Sequence, residues 1–118
     1  MDTIRSESKH SILKIRASTT DRIGGKLLYE YIVELAKDTG IEGATVYRGI
    51  MGFGSSSKIS SSKFWELTEK LPVVIELVDK TENLRAFFFG IEADLIQMPK
   101  GCVVALEPTE ILLKKKGK

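Results

Sequence analysis

An α+β domain, with two helices on one face of a four-stranded antiparallel sheet, is predicted by three features of the sequence. Several short apolar runs alternate with polar residues at a period of two. Two other stretches place apolar residues at helical spacing, and the order along the chain is strand, helix, strand, a long excursion, then strand, helix, strand again.

The first strand starts near Ser11, where Ile12, Leu13, Ile15 and Ala17 stand among Lys14, Arg16 and Ser18. Residues 1–10 carry charges and serines without period and read as a flexible lead-in. After a polar turn ending in Gly24-Gly25, residues Leu27, Leu28, Tyr31, Ile32, Leu35 and Ala36 recur as one apolar helix face, and Gly40 supplies the stop. Residues 44–48 are β-branched or aromatic in large part and make the second strand. Residues 49–62, with three glycines and six serines, bury little and read as a mobile loop or hairpin running toward Phe64 and Trp65.

The run 71–78 is apolar on both faces over part of its length, so it is expected as a central strand, with Pro72 tolerated at its beginning. Asp79 and Glu82 have the spacing of a helix-capping box, and Leu84, Phe87, Phe88, Ile91 and Leu95 continue as the second helix. Residues 101–106 form the fourth strand, and 111–113 are expected to add a short pairing segment after Pro108. The domain spans 11–113, with 114–118 a basic tail. Packed together these elements make a ferredoxin-like βαββαβ sandwich.

Composition narrows the function. Of 118 residues, 42% are apolar and 29% charged, a balance that supports one soluble core. The 18 Lys and Arg exceed the 16 Asp and Glu by a net +2, and Lys114, Lys115, Lys116 and Lys118 account for the excess, so no basic face for nucleic acid is expected. No apolar stretch reaches the length of a membrane span, and the polar opening has no signal-peptide core. The one cysteine, Cys102, sits in an apolar run as a small packing residue, which fits a reducing cytoplasm.

Catalysis lacks its parts. His10 is the only histidine and is expected at the exposed, frayed edge of the first strand, and Cys102 is expected within a strand, away from the electropositive setting a nucleophilic thiol needs. Glu66, Glu92 and Asp94 are too scattered to suggest a metal site. No catalytic residue, metal or cofactor is therefore assigned. Binding has better candidates. Gly49, Gly52 and Gly54 let backbone N–H groups approach an anion, and Ser55 and Lys58 add donors; the same residues also suit a solvated hairpin. The Arg48 guanidinium suits two-point grip of a phosphate or carboxylate, or a surface ion pair. Lys26, after Gly24-Gly25, either meets an anion at a helix N-terminus or is an exposed side chain beside a turn. Phe87, Phe88 and Phe89 are consecutive on a helix and cannot all face one sheet, so at least one is expected to meet a neighbouring subunit. Phe64 and Trp65 raise the same expectation.

The run Gly43-Ala44-Thr45-Val46-Tyr47-Arg48-Gly49-Ile50-Met51-Gly52-Phe53-Gly54, with Gly25-Lys26-Leu27-Leu28-Tyr29-Glu30 before it and Leu71-Pro72-Val73-Val74-Ile75-Glu76 after it, resembles an uncharacterised branch of the PII-like superfamily, whose fold the nitrogen-regulatory PII and divalent-cation-tolerance proteins share. The resemblance implies a homotrimer with inward-facing sheets and ligand clefts between subunits. It further implies a loop, here 49–62, that engages a protein partner. PII proteins bind adenine nucleotides and 2-oxoglutarate in those clefts. This chain differs by lacking the uridylylated tyrosine motif, and only Pro99-Lys100-Gly101 stands where PII proteins carry a Gly-Lys-rich phosphate loop. The expected function is a non-enzymatic PII-like signalling protein binding a small anionic metabolite or nucleotide through Arg48, Gly49, Gly52, Gly54, Ser55, Lys58 and Lys26. A purely structural or partner-binding trimer is the alternative.

Overall fold

The computed structural model describes residues 3–4, 9–54, 59–61 and 70–117. The main elements are β1 (His10–Ser18), α1 (Leu28–Asp38), β2 (Gly43–Arg48), β3 (Pro72–Lys80), α2 (Thr81–Gln97) and β4 (Val103–Thr109). The sheet is antiparallel in the order β2-β3-β1-β4, the ferredoxin-like arrangement, with β3 and β1 central and β2 and β4 at the edges.

Alternation decides which face is covered. Leu13 stands between Leu77 and Leu106 across the strands, and Ile15 between Ile75 and Val104. Leu13, Ile15, Ile75 and Leu77 are buried beneath the helices, where Leu28, Ile32 and Ala36 of α1 and Leu84, Phe87, Ile91 and Leu95 of α2 complete the core. Each of the Leu, Ile and Phe side chains contributes roughly 1.5–3 kcal/mol on burial. Tyr31 Oη donates to Asp94 Oδ2 at 3.1 Å and ties the two helices together. The α1 stop is built as the sequence implies: Gly40 has φ +86°, which lets Ile41 N donate to the Ala36 carbonyl at 2.9 Å.

Four expectations need correction, three of them at one end of the sheet. His10 is 4% exposed, not frayed. Its strand pairing continues to Lys80 on one side and Thr109 on the other, and its Nε2 lies 3.6 Å from Glu42 Oε1. Asp79 is not a helix cap, because β3 runs on through Lys80 and the helix starts at Thr81 without a side-chain cap. The buried Asp79 carboxylate instead accepts Glu42 N at 3.0 Å, Lys80 N at 2.5 Å and Asn83 Nδ2 at 2.8 Å, fastening the start of β2, the end of β3 and the start of α2. Residues 111–113 lie outside any strand; the pairing falls one step later, Lys114–Lys115 with Thr3–Ile4, which draws part of the expected lead-in and tail into structure. Lys114 Nζ also donates to Glu42 Oε1 at 2.7 Å. Finally, Cys102 precedes β4 rather than lying within it.

Replacing Asp79 with Ala leaves three N–H donors without their acceptor, two of them on the backbone. The expected cost is about 2–4 kcal/mol in urea unfolding, with Asp79→Asn recovering part of it. An Asp79→Ala protein as stable as the parent contradicts this fastening role.

Candidate functional site

The loops sort to the two ends of the sheet. His10, Glu42, Asp79 and Lys114 form one end; the other gathers the turn after β1, the excursion after β2, the entry to β3 and the entry to β4. At this second end Thr19 N donates to the Leu71 carbonyl at 2.9 Å and Leu71 N to Thr19 Oγ1 at 3.2 Å. Asp21, buried, accepts Ser18 N at 2.9 Å.

Here Arg48 ends β2 with its side chain exposed and, among the described residues, without a hydrogen bond or ion pair. The excursion leaves the sheet close against Pro72. Gly49 N donates to the Pro72 carbonyl at 2.7 Å, and a Cβ at Gly49 or Gly52 stands 3.3 or 3.1 Å from the Pro72 ring. These two glycines thus seat the root of the arm on Pro72, and the Gly49 N–H is already used. Gly54 lies in open space. Met51–Gly52 pairs antiparallel with Ser60–Ser61, so the excursion includes a hairpin. Ser55 and Lys58 lie outside the described residues, as do Phe64, Trp65 and Glu66.

Lys26 belongs to a different small structure. Arg22–Ile23 pairs with Lys26–Leu27 around Gly24, whose φ is +62°, and Arg22 Nη1 donates to the Gly25 carbonyl at 3.0 Å. The helix begins after this hairpin, at Leu28. Lys26 Nζ is hydrogen-bonded to Glu34 on α1, and that bond pushes its pKa above the usual lysine value.

The entry to β4 forms a feature that the sequence motifs did not single out. Between α2 and β4 lie two adjoining cavities of about 200 and 370 Å³. Phe88 and Val104 line both; the larger also has Glu92, Leu95, Ile96, Lys100 and Cys102 on its wall. The groove exists because β4 is an edge strand whose inner residues Val104 and Leu106 are only partly covered by α2. The three phenylalanines divide as helix geometry requires: Phe87 enters the core, Phe88 lines the groove, and Phe89 is 67% exposed. The Cys102 thiol is half-buried, and burial first, then the Asp21 carboxylate, raise its pKa.

The helix-free face of the sheet carries its own pattern. Lys14 stands between Glu76 and Ala105, and Thr45 lies beyond Glu76. Lys14 Nζ is 3.2 Å from Glu107 Oε1 and 3.9 Å from Glu76 Oε2, and Tyr47 Oη donates to Glu76 Oε2 at 2.5 Å. That bond, with a smaller part from burial, raises the Tyr47 pKa. Around this network lie Ile12, Val74, Val78 and Val103. No group of three or more metal-ligating side chains occurs among the described residues, and no helix among them is long and apolar enough to cross a membrane.

Residues 10–111 match the family DUF190, described as "Uncharacterized ACR". A UPF0166 protein of Aquifex aeolicus is 35% identical over 104 residues, covering 88% of this chain and 94% of the relative. A UPF0166 protein of Methanocaldococcus jannaschii is 42% identical over 76 residues, covering 64% and 69%. Among solved structures, the chain is similar in fold to CPII, a nitrogen regulatory PII-like protein from Thiomonas intermedia K12 bound to ADP, AMP and bicarbonate. The TM-score is 0.66 at 14% identity, with 88% of this chain and 89% of that chain covered. CPII bound to ADP, AMP and acetate gives 0.60 at 15% identity, covering 94% and 92%. The ferredoxin-like fold expected from the sequence thus agrees with the fold of these PII-like neighbours.

Because the reactive form of a cysteine is its thiolate, Cys102 should react with an aromatic disulfide at pH 8 more slowly in the folded protein than in urea. Its folded-state rate should keep rising at pH values where the unfolded rate has levelled. Equal rates in both states contradict the burial assigned to this thiol.

Proposed function

The chain belongs to the DUF190 family, and from that membership, the PII-like fold and the loop end of the sheet we propose a PII-like regulatory protein. In this reading it is a cytoplasmic homotrimer without catalytic groups of its own. It binds a small anionic metabolite or nucleotide in the clefts between subunits and relays occupancy through the arm 49–62.

The observation that carries the reading is the placing of two exposed cations, Arg48 and Lys100, at the same end of the sheet but on opposite edges. Three strand spacings, about 14 Å, separate β2 from β4, so within one protomer the two side chains are badly placed to share a small ligand. A neighbouring copy whose β4 edge approaches this β2 edge brings an Arg48 and a Lys100 to one cleft. The groove beside Lys100 offers an apolar wall for a flat base, and the cations offer charge for a phosphate or carboxylate. CPII, of the same fold, holds ADP, AMP and bicarbonate, which supports adenine nucleotides and small carboxylate-like anions as the ligand class. The helix-free face, with apolar residues around the Lys14–Glu76 network, supports an inward-facing sheet in the trimer. Ser55 and Lys58 remain proposed ligand donors from the arm, with Gly54 beside them; Lys26 is a weaker candidate, since an anion must compete with Glu34 for it.

Calorimetry against ATP, ADP, AMP, cyclic nucleotides, 2-oxoglutarate and bicarbonate tests the proposal. At least one should bind, and Arg48→Ala or Lys100→Ala should weaken it about 10–100-fold, as expected for one charge-assisted contact of about 1.5–3 kcal/mol. If none binds to an intact trimer, the sensor reading fails and a structural or partner-binding trimer takes its place.

A further inference from the structure

The root of the arm and the α2–β4 groove are each incomplete on their own. Around the Met51–Gly52 and Ser60–Ser61 pairing, Ile50 and Phe53 are each 75% exposed, and Met51 and Ile59 are also exposed. An isolated two-stranded ribbon is marginal in water, and this one presents its apolar side chains to solvent. On the far edge of the same sheet, the groove lined by Phe88, Leu95 and Val104 stands open, rimmed by Phe89 and by Ile96, which is 74% exposed.

Position and charge make these two surfaces a matched pair. Arg48 is opposite Val73 in the β2–β3 ladder, and Val103 is opposite Arg16 in the β4–β1 ladder, so hairpin and groove leave the same end of the sheet from opposite edges. A rotation about an axis running along the strands carries one edge to the other while keeping that end in common. Arg48 at the foot of the hairpin and Glu92 on the groove wall both lack an ion partner among the described residues, and they have opposite charge. Two different patches on one chain that fit each other make a head-to-tail contact, which closes into a ring when the rotation is a simple fraction of a turn.

We infer that the apolar hairpin root, Ile50, Met51 and Phe53, of one protomer seats in the α2–β4 groove of the next, against Phe89 and Ile96, with Arg48 facing the neighbour's Glu92. The inference rests on the trimer proposed above and adds which surfaces meet. The pairing leaves Arg48 at the mouth of the cleft beside Lys100, where a bound anion competes with the neighbour's Glu92 for its guanidinium.

Cross-linking of full-length protein tests this. In a Cys102→Ala background, Phe53→Cys and Ile96→Cys are made singly and together and treated with a short bis-maleimide, with light scattering on the same samples. The double variant should link into dimers and closed trimers, and neither single variant should link. Efficient linking of a single variant indicates a like-with-like contact and overturns the inference, as does a scattering trimer whose double variant stays unlinked; in these two outcomes the trimer itself survives. A monomer by scattering removes both readings. As a second arm, Arg48→Glu should loosen the assembly and Arg48→Glu with Glu92→Arg should restore it; absence of restoration contradicts the assigned pairing.

Discussion

One-sided burial of the sheet is the constraint from which the other features follow. At the centre of β1 and β3 one face is lined by large aliphatics, Leu13 and Ile15 with Val73, Ile75 and Leu77, and that face holds the two helices. Leu13, Ile15, Ile75 and Leu77 take the covered side, which leaves Lys14, Glu76 and Tyr47 on the other. A slip of one residue in the β1–β3 register would put Lys14 and Glu76 into the core, so the register is strongly held. With the helices spent on one face, the second face and both edges remain available for contact with other chains.

The two ends of the sheet have different work. At the Asp79 end, buried carboxylate and imidazole groups join segments distant in sequence, and the polar atoms are satisfied within the chain. At the Arg48 end, Arg48 has no ion partner among the described residues, and Ile50, Met51 and Phe53 are exposed. The proposed binding role draws on both: rigidity at one end lets contacts at the other be made by a preorganised frame.

Most of the fold was legible because its signals are local. Leu28, Ile32 and Ala36, or Leu84, Phe87, Ile91 and Leu95, announce a buried helix face within a few turns of chain. The centrality of β3 was legible too, because Val74 and Val78 make its second face apolar. What escaped was non-local. His10 is buried by pairing with Lys80 and Thr109, and Lys114 finds Glu42 across 72 positions, neither of which any window of sequence reveals. Asp79 and Glu82 do have capping-box spacing, but β3 outlasts it by a residue and turns Asp79 inward to Glu42. In the candidate site, Arg48 and the glycine run could be picked out by residue type, whereas the α2–β4 groove could not, since it arises from an edge strand that one helix covers incompletely. Gly49 and Gly52 show the limit of reading glycines as ligand donors: here their lack of a side chain admits the Pro72 ring.

In the proposed trimer the uncovered sheet face and the two edges are closed by copies of the same chain. Sedimentation equilibrium of the full-length protein at micromolar concentration measures this directly. The expected result is a single species of three times the 13.1 kDa chain mass. A species of one chain mass, unchanged as concentration rises to the upper end of that range, contradicts it.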